Sequence, residues 1–416
     1  MIQFERFTLD NGLKVLVHED PSTEVAVLNM LYNVGSRDEN PDKTGFAHLF
    51  EHLMFGGSVN VPNFDDPLQK VGGESNAFTN TDITNYFISL PAVNLETAFW
   101  LESDRMVSLA FSAESLDVQK KVVTEEFNQR YYNQPYGDAW LLLRPLAYQI
   151  HPYQWPTIGK EISHIEKARL EDVKTFFFRY YRPNNATLVI GGNVKLDDVK
   201  KLVEKWFGEI PAGEGFERKL PEEPRQQGTR ILEVNELVPL NALYRAYHMP
   251  ERISTEYHSI DLLSDLLGRG NSSRLFQKLV KDKQIFNSIN SYITGSLDPG
   301  LLIISGKLND QITFEQAGME IDAVISGLKE GDFRDDELQK VKNQAESTLK
   351  FSEVELLNRT MNLAFFEIMG DPNLVNQEAE KISKVSREDV IRNAADVLDS
   401  DNCSILHYHM VPAGTE

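Results

Sequence analysis

Short alternating patches rich in valine and leucine open the chain. Residues 13–20, LKVLVHED, and residues 24–35, EVAVLNMLYNVG, have the period of two that is typical of half-buried strands. Apolar residues then recur at helical spacing in TGFAHLFEHLMF (44–55), NLETAFWLESDRMVSLAF (94–111) and SAESLDVQKKVVTEEFNQRYYN (112–133). A helix, turn and strand are predicted in RLEDVKTFFFRYYRPNNATLVIGGN (169–193), followed by a helix in KLDDVKKLVEKWFG (195–208). The pattern therefore mixes sheet and helix.

A segment near the middle of the chain has the composition of a linker. Residues 209–230, EIPAGEGFERKLPEEPRQQGTR, are rich in proline, glycine and charge and have no periodicity. The segments on its two sides resemble each other: EDVKTFFFRYYRPNNATL begins at residue 171, and EDVIRNAADVLDSDNCSIL begins at residue 388. We therefore predict an α+β fold with two homologous domains, residues 1–208 and 231–416, joined by the linker 209–230. Each domain is expected to be a mostly antiparallel sheet packed with helices.

The composition excludes some classes of protein. The chain has 416 residues, of which 41% are hydrophobic and 25% charged, as is ordinary for a globular protein of two or three domains. The net charge of −21 argues against nucleic acid as a partner, because phosphates require clustered lysine and arginine. No apolar run reaches the roughly 18–20 residues that a membrane-spanning helix needs, so no such helix is predicted.

Two features bear on the compartment. The first residues, MIQFERFTLDNG, lack a basic segment followed by an apolar stretch, so they do not predict a signal peptide. Cys403 is the single cysteine, which excludes an intrachain disulfide and a cysteine-rich metal site. We predict a cytoplasmic protein, and a periplasmic one if a leader has been removed.

The apolar segment 44–55 carries three titratable residues with the spacing H-x-x-E-H. His48 and His52 lie four residues apart, so a helix places both imidazoles on one face, where they can bind one zinc ion. Glu51 can reach a water on that ion, whose pKa zinc lowers to roughly 7, without binding the metal itself. Burying three such groups without a dication would be costly. The spacing therefore predicts a catalytic zinc site.

A catalytic zinc usually has three protein ligands, so a third must come from elsewhere. Glu125 and Glu126 lie in the helical pattern KVVTEEFNQR and point about 100° apart, so only one can face the zinc. These residues alone do not choose between the two. His407 and His409 in LHYHMV would share a strand face. Nothing near them in sequence completes a site, and we predict that they are structural.

These residues resemble the pitrilysin and insulin-degrading family of zinc peptidases, which includes the mitochondrial processing peptidases. H-x-x-E-H is the inverted zincin motif of that family. NGLKVLV and YNVGSRDE precede the motif as they do in the family, and GGESNAFTNTDITNYF, HPYQWPTIG and YYRPNNATLVIGGNV resemble later landmarks. In the second half, GNSSRLFQKLV resembles the G-x-x-S-R-L-F helix start. The layout is closest to the two-domain, processing-peptidase-like members.

The resemblance implies a role for each position of the zinc motif. His48 and His52 match the zinc ligands, and Glu51 matches the general base. The third ligand of the family is the last glutamate of a V-V-x-E-E helix, which is Glu126 here. The resemblance thus favours Glu126 over Glu125.

Two further positions bear on substrate binding and metal support. Asn76 and Ala77 match an N-A-x-T element that lines an edge strand, which in the family pairs with the substrate backbone. Many members carry a supporting glutamate seven residues before the third ligand, and Gln119 stands there in this chain. Glutamine keeps a hydrogen bond but loses the charge, so we expect metal binding or turnover to be tuned, not abolished.

The second half departs from the family in a way that bears on partners. Single-chain and homodimeric members carry an arginine and, seven residues later, a tyrosine that help to hold the substrate, whereas KLVKDKQIFNSI has Val280 and Asn287 at these positions. If the alignment is shifted, Lys281 or Tyr292 would substitute. We therefore predict a heterodimer in which a homologous subunit supplies the Arg/Tyr pair, with a homodimer as the alternative.

The resemblance thus predicts a zinc-dependent endopeptidase. It would hydrolyse peptides or unfolded polypeptide segments inside a chamber formed by two chains, with this chain as the zinc-bearing subunit and Zn²⁺ as the cofactor. The alternative is a non-catalytic or partner-dependent scaffold subunit of a processing-peptidase-like complex. Scaffold relatives typically lack the zinc motif, which is complete here.

Overall fold

The structure is a computed structural model that describes residues 1–411. Two sheets are built from strands in the first and second halves of the chain. The strands are β1 Glu5–Thr8, β2 Lys14–Glu19, β3 Val25–Tyr32, β4 Glu74–Thr79, β5 Thr84–Pro91, β6 Ala186–Gly192, β7 Arg230–Glu236, β8 Ala242–His248, β9 Phe286–Ile293, β10 Leu301–Leu308 and β11 Cys403–Met410.

Helices fill the connections between these strands. They are α1 Phe46–Met54, α2 Asp65–Lys70, α3 Leu95–Ser108, α4 Ala113–Phe127, α5 Ala139–Ala147, α6 Ile162–Glu166, α7 Leu170–Tyr180, α8 Leu196–Phe207, α9 Tyr257–Gly268, α10 Phe314–Lys329, α11 Asp335–Ser352, α12 Leu356–Ile368, α13 Glu378–Lys384 and α14 Arg387–Val397. Short π-helical turns occur at Asn128–Tyr132 and Phe276–Asp282.

The two sheets have the same topology apart from one added strand. The first sheet has the order β1-β2-β6-β3-β5-β4, and the second has the order β7-β11-β8-β10-β9. Without β1, each strand of the first sheet has a counterpart at the same place in the second. The one parallel pair is also equivalent, β2 with β6 and β7 with β11, and the other neighbours are antiparallel. The predicted α+β fold with mostly antiparallel sheets is confirmed, and the shared strand order supports the predicted duplication.

The two compact units of the structure are discontinuous in sequence. The first comprises Met1–Phe127, Trp155–Leu220 and Lys350–Glu378. The second comprises Asn128–Gln154, Pro221–Leu349 and the residues from Ala379 onward. Each half of the chain therefore gives one segment to the other unit. The boundaries 1–208, 209–230 and 231–416 stay a prediction for the sequence repeat and do not describe these units.

The exchanged segments carry helices that cover a sheet. Helix α12 packs on the first sheet, where Leu363 and Ala364 share a core cluster with Leu16, Leu31 and Val189. Helix α5 packs on the second sheet in the same manner. Its cluster contains Ala139, Leu143, Ala147, Ala242, Ala246, Ile303 and Leu406. Because both helices bury apolar side chains against the sheet of the other half, hydrophobic burial accounts for the exchange.

The predicted linker has no regular secondary structure before β7, yet side chains near its middle anchor it. In the first unit, Arg218 donates hydrogen bonds to Asp38 Oδ1 and to the carbonyl of Asn33, both over 2.7 Å. In the second unit, the carboxylate of Glu223 accepts three backbone N–H groups, from residues 149, 150 and 151, at 2.8–3.0 Å. The segment is therefore held by specific contacts within each unit.

Helix α12 is tied to the first sheet through Arg359. Its guanidinium donates to Asp20 Oδ2 over 2.7 Å and lies 3.1 Å from His18 Nε2. Because a guanidinium only donates, His18 Nε2 accepts, and the ring proton lies on Nδ1, which is 2.7 Å from the carbonyl of Gln3. Burial, helped by the charge of Arg359, holds the pKa of His18 below its usual value. The native contact thus requires the neutral imidazole.

We expect the free energy of unfolding to fall as the pH drops below about 6.5, the ordinary histidine pKa. In that range the unfolded chain binds a proton at His18 that the folded chain resists, so acidification favours unfolding. His18→Gln should lose this contribution and show a shallower pH dependence. Denaturant unfolding of both proteins at about pH 7.5 and about pH 5.5 measures the difference. An equal loss of stability in both proteins would contradict the role of His18.

Candidate metal centre and substrate edge

Helix α1 carries the H-x-x-E-H residues on the one face that does not pack into the core. His48 is 8% exposed, and Glu51 and His52 are half-buried. On the opposite face Phe50 stacks on Phe176 and Tyr181, each at a centroid distance of 5.1 Å. Packing of the apolar residues that lie between His48, Glu51 and His52 in the sequence therefore fixes the orientation of the helix.

The first turn of α1 is held by a buried carboxyl group whose role the sequence had not indicated. Glu39 is 7% exposed and accepts the backbone N–H groups of Gly45 (2.9 Å) and Ala47 (2.8 Å). Burial raises the pKa of Glu39 to about 8, although these hydrogen bonds favour the charged form. The oxygen atoms of a carboxyl group at this end of a helix satisfy N–H groups that have no partner within the helix. Glu39 thus fixes the start of the helix two residues before His48.

Gly45 permits the close approach that starts α1. Its φ is +89°, a left-handed conformation that favours glycine, and a Cβ there would lie 2.5 Å from the carbonyl oxygen of Ile158. The chain before the helix is also held by Thr44, whose N–H donates to His164 Nδ1 over 3.1 Å. Any larger residue at position 45 must therefore displace backbone beside the helix that carries His48.

Gly45→Ala is expected to destabilise the protein by more than the roughly 1–2 kcal/mol of a left-handed alanine and to weaken zinc binding. The matched control is Gly228→Ala, because Gly228 has a φ of +98° but a Cβ at this position would meet nothing within 4 Å. Denaturant unfolding and zinc competition with a chelator should separate the two variants. Equal losses of stability and unchanged zinc affinity in both would show that the contact at Ile158 does not matter.

Helix α4 brings a carboxylate to the two histidines. Glu126 Oε2 lies 3.5 Å from His48 Nε2 and 3.5 Å from His52 Nε2. One ligand atom from each of the three residues lies within 4.8 Å of the others. Glu125, the neighbour that the residues alone could not exclude, is exposed. The structure thus brings Glu126 to the histidines.

These three residues fit zinc by the chemistry of their donors. Two imidazole nitrogens and one carboxylate oxygen are ligands that zinc accepts, and a set of three leaves a position open for water or substrate. The carboxylate that completes the set comes from a second helix 74 residues beyond His52. Three convergent donors from α1 and α4 make this a candidate metal centre.

Glu51 lies beside these ligands, next to the end of β4. Burial raises the pKa of Glu51, and the charge of Glu126 acts in the same direction, whereas contact with Thr79 and the charge of His52 lower it. Thr79 is the last residue of β4. A carboxyl group with a raised pKa is suited to proton transfer near neutral pH. The contact with Thr79 also places β4 next to the candidate metal centre.

Strand β4 has one open edge. It lies at the end of the first sheet and, within residues 1–411, pairs only with β5. Asn76 is exposed and Ala77 half-buried, and the side-chain Oδ1 of Asn76 accepts the N–H of Ala77 over 2.8 Å. An open strand edge can bind an extended peptide by adding a strand. The residues predicted to contact substrate therefore lie on this edge.

The remaining predicted residues lie further from these contacts. Gln119 is half-buried on α4, seven residues or about two turns before Glu126, so both lie on one side of the helix. In the second unit, Val280 packs against the core and Asn287 is exposed on the edge strand β9. Neither position of this pair offers an arginine or tyrosine. Tyr292 lies on β9, with its ring 6.5 Å from that of Trp140.

Comparison with known proteins identifies the family. The model of the insulinase (peptidase family M16) domain matches residues 14–159, and the model of the peptidase M16 inactive domain matches residues 167–345. The zinc protease PqqE of Helicobacter pylori is 34% identical over 346 residues, which cover 81% of this chain and 77% of that protein. The chain belongs to peptidase family M16. The predicted pitrilysin and insulinase relationship is confirmed.

Two other comparisons cover more of the chain. The uncharacterized zinc protease YmxG of Bacillus subtilis is 27% identical over 362 residues, 86% of each chain. The crystal structure of a protease from Helicobacter pylori superposes with a TM-score of 0.91 at 29% identity, covering 98% of this chain and all of that one. The two-domain M16 fold is thereby confirmed. Across residues 1–411, no helix combines the length and the apolar character needed to cross a membrane.

Proposed function

We propose that this chain is a zinc-dependent endopeptidase. The observation that carries the proposal is the convergence of His48, His52 and Glu126, with Glu51 beside them. The relatives named as zinc proteases support the same function. A metal site that served only to stabilise the fold would have four protein ligands and no reason for an adjacent, half-buried carboxyl group.

The residues of the site have two roles in peptide hydrolysis, metal binding and proton transfer. His48, His52 and Glu126 hold the metal, which when bound supplies Lewis acidity that polarises a carbonyl oxygen and acidifies water. Glu51 removes a proton from the attacking water, whose oxygen bonds to the scissile carbonyl carbon. Glu51 then returns that proton to the amide nitrogen as the C–N bond breaks. The raised pKa of Glu51 suits both proton transfers.

The substrate is held as an extended chain along β4. The open edge of this strand offers backbone hydrogen bonds, and its contact with Glu51 through Thr79 brings a bound peptide close to the metal ligands. Asn76 turns its side chain onto the N–H of Ala77, and we propose that a substrate carbonyl replaces it there. Such binding selects unfolded or flexible polypeptides, because it reads backbone and requires an extended conformation.

We propose that a homologous subunit completes the active enzyme. Val280 is packed into the core of the second unit and Asn287 carries no phenol, so this chain lacks the Arg/Tyr pair at the matched positions. A partner that carries the pair would supply it and would close a chamber formed by two chains. A homodimer remains the alternative arrangement, with Tyr292 or Lys281 in place of the pair. A cytoplasmic location is part of this proposal, with a periplasmic location as the alternative if a leader has been removed.

A second candidate function is a partner-dependent scaffold. The family model matched by residues 167–345 is named for an inactive domain, which fits a half that lacks the metal residues. The complete set of metal residues in the first half favours the enzyme over the scaffold, because a scaffold has no need of Glu51. Metal content and cleavage together distinguish the two.

The test uses the full chain alone and mixed with a candidate paralogue. Zinc is measured after purification, and cleavage is followed with fluorogenic peptides and with an unfolded polypeptide. We expect the zinc site to be filled and cleavage to appear or to increase strongly in the mixture. Zinc without cleavage in either preparation would refute the endopeptidase as proposed. A chain that neither retains nor binds zinc would favour the scaffold.

A further inference from the structure

A second group of metal-binding side chains lies on the second sheet. His407 and His409 alternate with buried residues on β11 and share one face of the strand. The adjacent strand β7 is parallel and places Glu233 directly opposite His407. Glu233 Oε1 lies 3.3 Å from His407 Nδ1, and Glu233 Oε2 lies 3.8 Å from His409 Nε2. No local sequence pattern indicated this partner, because Glu233 and His407 are 174 residues apart.

We propose that His407, His409 and Glu233 form a second zinc site, independent of the candidate catalytic centre. The donor set is the same, two imidazoles and one carboxylate, and these donors suit zinc. The carboxylate lies 3.3 and 3.8 Å from the imidazoles here and 3.5 Å from both in the first site. Within residues 1–411, the ligand atoms of the first site already lie within 4.8 Å of one another, whereas those of the second site do not.

Zinc binding requires the side chains of His409 and Glu233 to move. The two ring centroids are 6.5 Å apart, compared with 4.8 Å for His48 and His52. The side chains of His409 and Glu233 are 35% and 62% exposed, which leaves both room to rotate, although the ring of His409 must shift against Phe314, which it meets edge-on at a centroid distance of 4.7 Å. His407 is more constrained, because its ring stacks on Phe314 at 4.4 Å and its side chain is 15% exposed. We therefore expect His407 to anchor the ion and the other two ligands to close on it.

This rearrangement sets the expected strength of the site. Ordering two exposed side chains costs conformational entropy, so the second zinc should bind more weakly than the first. Asn235 faces His409 in the same register and offers a further oxygen donor on that face.

The test isolates the second site in a chain that lacks the first. His48→Ala and His52→Ala are combined in metal-free full-length protein, which is titrated with Co²⁺ by absorption spectroscopy and with Zn²⁺ by competition. We expect one equivalent of metal to bind with a cobalt spectrum of nitrogen and oxygen ligands. Adding Glu233→Gln or His409→Ala should weaken this binding at least about tenfold, since even outer-shell changes cost 10- to 100-fold.

Glu236→Gln is the matched control. Glu236 is an exposed carboxylate on the same strand, three residues beyond Glu233, so its loss changes the charge equally without removing a ligand. Circular dichroism of every variant serves as the folding control, and we expect each spectrum to match that of the unsubstituted chain. No cobalt binding in the double variant, or equal binding with Glu233→Gln and Glu236→Gln, would overturn the second site. Neither result depends on whether the chain cleaves peptides.

Discussion

Glu51→Gln should bind zinc as tightly as the unsubstituted chain and lose about 10²–10⁴-fold in the rate of peptide hydrolysis, the usual contribution of a general acid–base group. Glutamine has nearly the same shape as glutamate and keeps the contact with Thr79, but it cannot accept a proton from water. Glu51 lies beside the ligand set without belonging to it, so the metal should be unaffected. The loss should fall on kcat, because the step removed is chemical.

The measurement pairs zinc content with steady-state cleavage, in whichever assembly the unsubstituted chain is active. Zinc content serves as the internal control, since a variant that had lost its metal would be inactive for another reason. Retained zinc with cleavage near the unsubstituted rate would rule out Glu51 as the general base. Loss of zinc would instead show that Glu51 is a ligand.

Glu126→Gln should lower zinc affinity by more than the 10- to 100-fold that loss of an outer-shell partner typically costs. The carboxylate oxygen 3.5 Å from both imidazoles is replaced by a neutral amide, which is a poorer ligand for a dication. Cleavage at limiting zinc should fall in parallel. Partial recovery at high zinc concentration would show that the catalytic groups remain in place.

Glu125→Gln is a closely matched control for this variant. The two glutamates are neighbours on α4, and the substitutions change charge and size identically, but Glu125 is exposed. Its zinc affinity should equal that of the unsubstituted chain, measured by competition with a chromophoric chelator. If Glu125→Gln lowered the zinc affinity as much as Glu126→Gln, the loss would come from the change in net charge and not from a lost ligand. The assignment of Glu126 as the third ligand would then fail.

The orientation of α4 shows where sequence reasoning reached its limit. Val122 and Val123 are both apolar, so the pattern alone allows two orientations of the helix, and each would present a different glutamate. In the structure Val123 is 1% exposed and Val122 is 44% exposed. Tertiary packing therefore selects the orientation that presents Glu126. The histidines needed no such choice, because their spacing of four residues places them together in any helix.

Long-range partners were the other part that local patterns could not predict. Glu39 looks like an ordinary acidic loop residue, and only the fold places it against the N–H groups of Gly45 and Ala47. The same holds for α5 and α12. Nothing in their sequences indicates that the sheet beneath each helix belongs to the other half of the chain. The similarity of the two sheets could be predicted from the sequence, because the repeat at residues 171 and 388 already indicated two homologous domains.

The exchange of α5 and α12 determines how the chain can be divided. A fragment that stops at residue 208 would lack α12 and leave Leu31 and Val189 without their cover, while its own α5 would have no sheet to pack against. A fragment that starts at residue 231 would lack α5, which covers the second sheet, and its own α12 would have no sheet to pack against. Neither piece is expected to be a usable expression product, and scission of the segment 209–230 in the folded protein should leave a nicked species that stays together until it is denatured.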